Sequence, residues 1–253
     1  MTDLELLEIE AGTSLDVHGR IARLRGVMFA VSTEGQACWL GARVPDELAR
    51  ELTELVARSR RSGDPAQQPP ALDACQHAIE AELGVSTARH AGPSYIFPED
   101  ARFDYRAGIV RSDASGGEGL RAASPGNWGT IEWQELLDGV LGPWAMAVSG
   151  GEVLSICHTP QPMTDRAAEC GVWTRPDARG RGYAADTAAA WSAMLAPTGR
   201  HLFYHHDADN VSSQRVAQRL GLRPIGWMWR VGFDEQTGGA HPLSSESGSP
   251  CAE

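Results

Sequence analysis

Residues 168–184 join a short apolar run to a basic glycine loop and the start of an alanine-rich segment. The run from Cys170 to Thr174 predicts a strand, and the uninterrupted helix former DTAAAWSAML predicts a helix that ends before Pro197. Between them lies the loop 179–184, with two arginines and two glycines. Because such a turn offers bare backbone N–H groups and the positive end of a helix, it predicts a phosphate-binding site.

Three interpretations fit this loop. Gly180, Gly182 and Ala185 match the GxGxxA fingerprint of dinucleotide-binding proteins, but the next predicted strand, HLFYHH, does not end in the acid that this site needs. A glycine-rich helix start without a ligand is the second interpretation. The third depends on residues further along the chain.

The loop has the form Arg/Gln-x-x-Gly-x-Gly/Ala, carried by Arg179, Gly182 and Ala184. One predicted strand downstream, a helix begins at Asn210 and ends in Leu-Gly-Leu at 220–222. The order and spacing of these two halves resemble the GNAT superfamily of acyl-CoA-dependent N-acetyltransferases. The resemblance covers about residues 105–234. The amino-acid sequence of these segments is most similar to the branch that includes zwittermicin-type antibiotic self-resistance acetyltransferases.

This resemblance implies an α/β GNAT fold, with a mixed, mostly antiparallel sheet flanked by helices, and acetyl-CoA as co-substrate. It also implies that the strand at 169–174 splays from the strand at 201–206 and that the pantetheine arm of the cofactor pairs with the first of them. The residues implied to bind the cofactor are Val172, Thr174, Arg179, Gly180, Arg181, Gly182, Tyr183, Ala184, Asn210 and Ser213. Asn210 and Ser213 also fit plain helix capping.

Attack of an amine on a thioester needs a base, and two side chains are candidates. His205 lies five residues before Asn210, where some relatives place a glutamate, and a histidine of near-neutral pKa suits the role. Glu169 begins the strand beside the cofactor groove, where it could receive a proton or bind a cationic substrate. Many relatives use a tyrosine seven residues after the asparagine as an acid for the thiolate, but here that position is Ala217.

Other chemically active side chains have simpler explanations. Tyr204 is a hydroxyl donor that packing would also explain, and Cys157 and Cys170 lie on predicted strands, where packing is expected. His206 alternates to the opposite sheet face from His205, so the pair does not predict a metal site. The resemblance places the acceptor pocket at 113–140 and 225–232, with these acids and aromatics: Glu118, Trp128, Glu132, Trp133, Glu135, Trp227 and Trp229.

Composition narrows the class of protein. The 253 residues carry a net charge of −11, which disfavours a nucleic-acid partner, and all 22 basic residues are arginine, which excludes a P-loop lysine. The five cysteines lack CxxC spacing, which indicates a reducing compartment. With no signal pattern and no apolar run of membrane-spanning length, we expect a cytoplasmic protein without a membrane partner.

The chain predicts three parts. Residues 1–104 form an α/β appendage that supports or dimerises the protein, 105–234 form the acetyltransferase domain, and 235–253 form a disordered tail. The predicted reaction is acetyl transfer from acetyl-CoA to a primary amine of a small molecule or peptide, by direct attack in a ternary complex. A catalytically silent acyl-CoA-binding regulatory module is the alternative, and the sequence also allows a homodimer.

Overall fold

A computed structural model describes residues 1–60, 63–84, 86–99, 102–106, 108–115 and 117–234. Its helices are α1 (Asp3–Ala11), α2 (Asp46–Arg58), α3 (Leu72–Leu83), α4 (Thr130–Leu137), α5 (Tyr183–Leu195) and α6 (Val211–Arg219). Its strands are β1 (Leu24–Val31), β2 (Gln36–Leu40), β3 (Ala88–Ile96), β4 (Ile109–Arg111), β5 (Ala145–Ser149), β6 (Glu152–His158), β7 (Ala167–Glu169), β8 (Gly171–Thr174), β9 (His201–His205) and β10 (Arg223–Asp234).

The larger sheet has six strands in the order β2-β1-β10-β3-β9-β7. All of its neighbours are antiparallel except β7 and β9, which run parallel. The long strand β10 lies at its centre, paired with β1 along one edge and with β3 along the other. Strands β1–β3 come from the predicted appendage and β7, β9 and β10 from the predicted domain, so one sheet contains strands from both sides of residue 104.

The smaller sheet has four antiparallel strands in the order β4-β5-β6-β8. Its central hairpin, β5 to β6, turns at Gly150 and Gly151, both with positive φ angles of 59° and 82°. The paired glycines predict this hairpin, and the segment VMFAVSTEGQACWLGA predicts a second one that turns at Glu34-Gly35. Both are confirmed, the second as the β1–β2 hairpin.

The predicted strand at about 168–174 is divided between the two sheets. Its first part, β7, pairs with β9 of the larger sheet, and its second part, β8, pairs with β6 of the smaller sheet. Cys170 lies at the division, and its N–H donates to Phe203 O at 2.9 Å. Beyond this bond the described strands β8 and β9 belong to different sheets.

Helices cover both faces of the larger sheet. Successive side chains of a strand point to opposite faces, so Phe29 and Ala30 separate two cores. Phe29 packs with α2 and α3, whereas Ala30 packs beneath α1 with Ile96 and Phe203. The alanine-rich helix α5 is buried with α6 against Ala168, Leu202 and their neighbours. The predicted α/β fold, with a mixed, mostly antiparallel sheet flanked by helices, is confirmed.

The segment TIEWQELLDGVL predicts a helix with Thr130 as its N-cap. The helix is present as α4, but the predicted cap is wrong, because Thr130 is the first helical residue: the cap is Gly129, whose N–H donates to the Glu132 carboxylate at 3.4 Å. Gly221 follows α6 with a φ of 59°, as predicted for a terminating glycine. The tail from residue 235 lies outside the described residues. Across the described part of the chain, no helix is both long and apolar enough to cross a membrane.

Gly92 tests the packing of β3 against the end of β9. A Cβ atom at this position would lie 1.8 Å from His206 O, a backbone atom that cannot swing away. We therefore expect Gly92→Ala to lower the free energy of unfolding by about 2 kcal/mol or more in a urea titration. Gly12→Ala is the control, because Gly12 has a helical φ of −54° and no atom within 4 Å of its built Cβ. Equal stability of the two variants would contradict this packing.

Candidate functional site

The backbone of β8 faces the gap between the two sheets. Arg175 N–H donates to Leu154 O of β6, and Cys170 N–H donates to Phe203 O of β9, so the intervening residues alternate between these two sides. By this alternation the N–H and C=O groups of Val172 and Thr174 point away from β6. These are the two residues implied to pair with a cofactor arm, and β8 is the edge strand of its sheet.

The basic loop after β8 forms a cluster of backbone donors. Gly180 and Gly182 have φ angles of 75° and 85°, which favour glycine, and Gly182 caps α5 without a side chain. Within the described chain, the N–H groups of residues 180–182 have no protein acceptor. The first turn of α5 adds further N–H groups that no helix satisfies internally. The arrangement suits an anion with several oxygens.

Arg219, at the end of α6, is a cation at this loop that the sequence analysis did not identify. A Cβ atom built on Gly182 would lie 2.5 Å from Arg219 Nη1, so the guanidinium rests directly on the glycine. Arg179 and Arg181 are exposed on the same loop. Only the fold brings Arg219 here, because 36 residues separate it from Tyr183 in the sequence. The φ angle of 85° is what favours glycine at residue 182, because the end of the Arg219 side chain could move away from a Cβ atom.

Arg106 contacts the other side of the loop, and the sequence analysis did not identify it either. Its Nε donates to the carboxylate of Asp186, and its Nη2 donates to Arg181 O at 2.8 Å. Its guanidinium carbon lies 4.3 Å from the centre of the Tyr183 ring. Asp186 is 4% exposed and lies in the first turn of α5, so its charge would repel an anion at the helix start. Arg106 offsets that charge.

Asn210 caps the start of α6 and is exposed to solvent. The Asn210 side-chain oxygen accepts from Ser213 N–H at 3.1 Å, which is the geometry of an N-cap. Tyr204 is buried beneath this helix, and burial raises the pKa of its phenol, while a hydrogen bond to Ser213 opposes that shift. Ala217 is 2% exposed in the same core cluster.

Glu169 is the stronger of the two base candidates in electrostatic terms. Desolvation by burial raises the pKa of its carboxyl to about 7, and the positive charge of Arg230 partly opposes this shift. Its side chain lies at the end of β7, one residue before the strand divides, and remains partly exposed. A carboxylate that titrates near pH 7 can accept a proton from an ammonium group under physiological conditions.

The pKa expected for His205 is wrong. Desolvation lowers the pKa of this imidazole to about 4; Asp207 opposes the shift, while Arg230 and His206 add to it. His205 is therefore neutral at pH 7 and a weak base. Its Nδ1 is buried and has no hydrogen-bond partner within the described chain. His206 stacks on Tyr95 with ring centroids 5.6 Å apart and is 5% exposed, so it is a packed side chain.

The two strand cysteines are packed, as expected, and the tryptophans of the expected acceptor pocket also lie in core clusters. Cys157 and Cys170 are buried with their Sγ atoms 3.3 Å apart, and burial raises the pKa of Cys157 well above its usual value. Trp128 and Trp133 are buried in the core beneath α4. Trp227 and Trp229 stack on each other on β10, on the α2–α3 face of the larger sheet. Glu118 lines an open cavity of about 390 Å³ near Trp144.

The structure thus brings together the loop 179–184, the gap-facing backbone of β8 and the start of α6. It places Glu169 and His205 on the face that carries α1. Phe203 and His205 share that face by alternation, and Glu169 pairs with Phe203. Among the described residues, no group of three or more metal-ligating side chains is close enough to hold a metal ion.

Comparisons with known proteins identify a family domain in one part of the chain. Residues 103–223 match a family model described as acetyltransferase (GNAT) domain. No curated protein matches the sequence. The resemblance predicted from the two sequence motifs is therefore supported over this segment, whereas the likeness to the zwittermicin-type branch stays a prediction.

Solved structures of GNAT proteins are also similar to the chain. A GNAT-family protein from Novosphingobium aromaticivorans is 22% identical over 57% of this chain and 66% of its own, with a TM-score of 0.45. A GCN5-related N-acetyltransferase-like protein from Streptococcus suis is 21% identical over 64% of this chain and 68% of its own, with a TM-score of 0.46. An acetyltransferase from the GNAT family of Colwellia psychrerythraea is 14% identical over 92% of this chain and 96% of its own, with a TM-score of 0.49.

The contact between Arg106 and Asp186 gives a charge test of the loop. We expect Arg106→Ala to raise the Kd of CoA about tenfold, because the buried Asp186 charge then repels the diphosphate. Adding Asp186→Asn to this variant should recover most of the affinity. Pantetheine lacks the diphosphate and is the control ligand, so its Kd should change little. Calorimetry measures the Kd of both ligands for each protein, and equal losses for CoA and pantetheine would show that Arg106 only stabilises the fold.

Proposed function

We propose that the protein is an acyl-CoA-dependent N-acetyltransferase that transfers an acetyl group to a primary amine of a small molecule or peptide. The observation that carries this proposal is the division of one strand between two sheets beside a basic loop. The division leaves one edge of β8 without a paired strand among the described residues, although Thr174 O on this edge accepts from Arg179 Nε at 3.3 Å. The match of residues 103–223 to a GNAT acetyltransferase domain supports the same conclusion.

The chemistry of the donors fits CoA. A diphosphate needs several N–H groups and positive charge, and the loop 180–182 with Arg179, Arg181 and Arg219 supplies both. A pantetheine arm carries amide groups, which suit the gap-facing N–H and C=O groups of Val172 and Thr174. Ser213, on the first turn of α6, has its hydroxyl near this side of the sheet. When bound, acetyl-CoA supplies a thioester whose carbonyl an amine can attack.

Glu169 is proposed to take the proton of the acceptor. An alkylammonium ion must lose a proton before it is a nucleophile, and Glu169 has a pKa of about 7 beside the strand division. His205 shares the face but is neutral with a pKa of about 4, so it suits the role of an uncharged hydrogen-bonding partner better than that of the base. A direct attack in a ternary complex fits the two buried cysteines, which have no activating base.

Position 217, where many relatives have a tyrosine that protonates the leaving thiolate, is an alanine in this chain. Ala217 is buried and cannot donate a proton. Tyr204 carries a hydroxyl in the same core cluster, where it hydrogen-bonds with Ser213. We assign thiolate protonation to solvent or to Tyr204, since a CoA thiolate is a tolerable leaving group. The alanine at position 217 also favours one alternative function, a catalytically silent acyl-CoA-binding regulatory module.

The remaining features of the proposal come from the sequence. We expect the acceptor to be a small molecule or peptide, with neither nucleic acid nor membrane as partner. A cytoplasmic location and a homodimer are part of the same proposal. The shared larger sheet suggests that residues 1–104 support the domain directly, because β3 pairs with both β9 and β10.

Release of free CoA thiol separates enzyme from silent module. We expect the purified protein to release thiol from acetyl-CoA with at least one member of an amine panel of antibiotics, polyamines, amino acids and peptides. The double variant Arg179→Glu, Arg181→Glu should raise the Kd of CoA at least tenfold, because four units of charge change at the diphosphate site. Arg58→Glu is the control on the exposed end of α2. Tight CoA binding without thiol release would identify the silent module, and NAD binding without CoA binding would refute the proposal.

The pH dependence of kcat/KM identifies the base. Glu169 accepts a proton only when it is ionised, so activity should rise as the pH increases through about 7. Glu169→Gln should lower the rate about 100-fold or more and abolish this rise. His205→Gln should leave the midpoint near 7. A midpoint near 4 that disappears in His205→Gln would instead assign the base to His205.

A further inference from the structure

Glu10 is a buried carboxylate that the proposed chemistry has not used. It lies on α1, is 4% exposed, and accepts one hydrogen bond from the Ser94 hydroxyl at its Oε2 atom. Its Oε1 atom is buried and has no hydrogen-bond partner in the described chain. Burying a carboxylate is unfavourable unless both of its oxygens accept hydrogen bonds, and Oε1 of Glu10 accepts none within the described chain.

The fold places Glu10 beside Glu169. Helix α1 contacts β7 as well as β1 and β10. Ser94, the partner of Glu10, pairs with His205 across β3 and β9, and Phe203 of β9 pairs with Glu169. Glu10, Ser94, His205 and Glu169 therefore lie on one face of the larger sheet, at the point where the strand divides.

When no ligand is present, the charge of ionised Glu169 disfavours ionisation of Glu10. Burial raises the pKa of Glu10, and the negative charge of Glu169 raises it further. Arg230 from β10 is the charged group that acts on Glu169, whereas Asp207 after β9 acts on His205, which is neutral, and is paired with His90. Arg230 offsets the charge of Glu169, but Glu10 has only the Ser94 hydroxyl and a second acid beside it.

We propose that Glu10 and Glu169 together form the subsite for the ammonium form of the acceptor amine, so that the N-terminal helix contributes directly to acceptor recognition. This inference rests on the proposed function and extends it, because it names a cationic alkylamine as the acceptor class. The ammonium group has three N–H donors, which suit the free Glu10 Oε1 and the Glu169 carboxylate.

The side chains become more buried from Glu169 and His205 to Glu10, and this gradient suits a small cation that enters from solvent. Glu169 and His205 are partly exposed, whereas Glu10 lies behind them. A positive charge between the carboxylates would favour the ionised form of both, and Glu169 would then accept the proton that makes the amine reactive. Because Glu10 lies outside residues 103–223, the family match does not include it.

Thermal-shift measurements test the subsite without any turnover. The probe is n-butylammonium chloride, compared with sodium chloride at equal ionic strength and pH 8. We expect butylammonium to raise the melting temperature of the wild-type protein by about 3 °C at a tenfold excess over its Kd. Glu10→Gln keeps an acceptor for Ser94 but removes the charge, so it should melt at or above the wild-type temperature and lose the shift. Glu8→Gln, an exposed change on the same helix, should behave like wild type.

Kinetics give the second readout. For the best alkylamine of the panel, Glu10→Gln should raise KM about tenfold or more, while the Kd of CoA stays unchanged. Absence of a butylammonium shift in the wild-type protein would overturn the inference, and so would an equal shift in Glu10→Gln. A lower melting temperature in Glu10→Gln with an unchanged KM would assign Glu10 a structural role. Failure of the proposed function is recognised separately, by the absence of CoA binding.

Discussion

The hydrogen bond from Cys170 N–H to Phe203 O is the last link between the two sheets along the divided strand. A backbone that leaves one sheet must satisfy its N–H and C=O groups elsewhere, and here only one edge of β8 pairs with a strand, β6. On the other edge no strand pairs with β8 among the described residues, and Thr174 O accepts from Arg179 Nε. The site therefore depends less on any single side chain than on where this strand changes partners, because that change sets both the free backbone groups and the position of Glu169.

Opposite charges lie on the two sides of this division. The loop end carries Arg106, Arg179, Arg181 and Arg219, and Asp186, its buried acid, is paired with Arg106. The α1 face carries Glu10 and Glu169 in a buried setting. A protein with a net charge of −11 has thus concentrated arginines where an anion is expected and left acids where a cation is expected. This separation is the charge arrangement that the proposed pair of ligands, an anionic cofactor and a cationic acceptor, would need.

Local features were predictable from the sequence, and long-range features were not. The glycine loop, the hairpin at Gly150-Gly151 and the end of α6 at Gly221 depend on backbone angles that few residues adopt, so their sequence patterns are specific. The low pKa of His205 depends on burial, which no neighbouring residue in the sequence reveals. Arg219 and Glu10 reach the site only through tertiary packing.

The position of β10 has a consequence for the order in which the protein folds. This strand is the last described element of the chain, yet it lies between β1 and β3, which are among the first. During synthesis the N-terminal hairpin and β3 therefore emerge long before the strand that joins them. Such non-local pairing is slow and leaves strand edges exposed. The facing edges of β1 and β3 therefore stay unpaired until residues 223–234 have been synthesised.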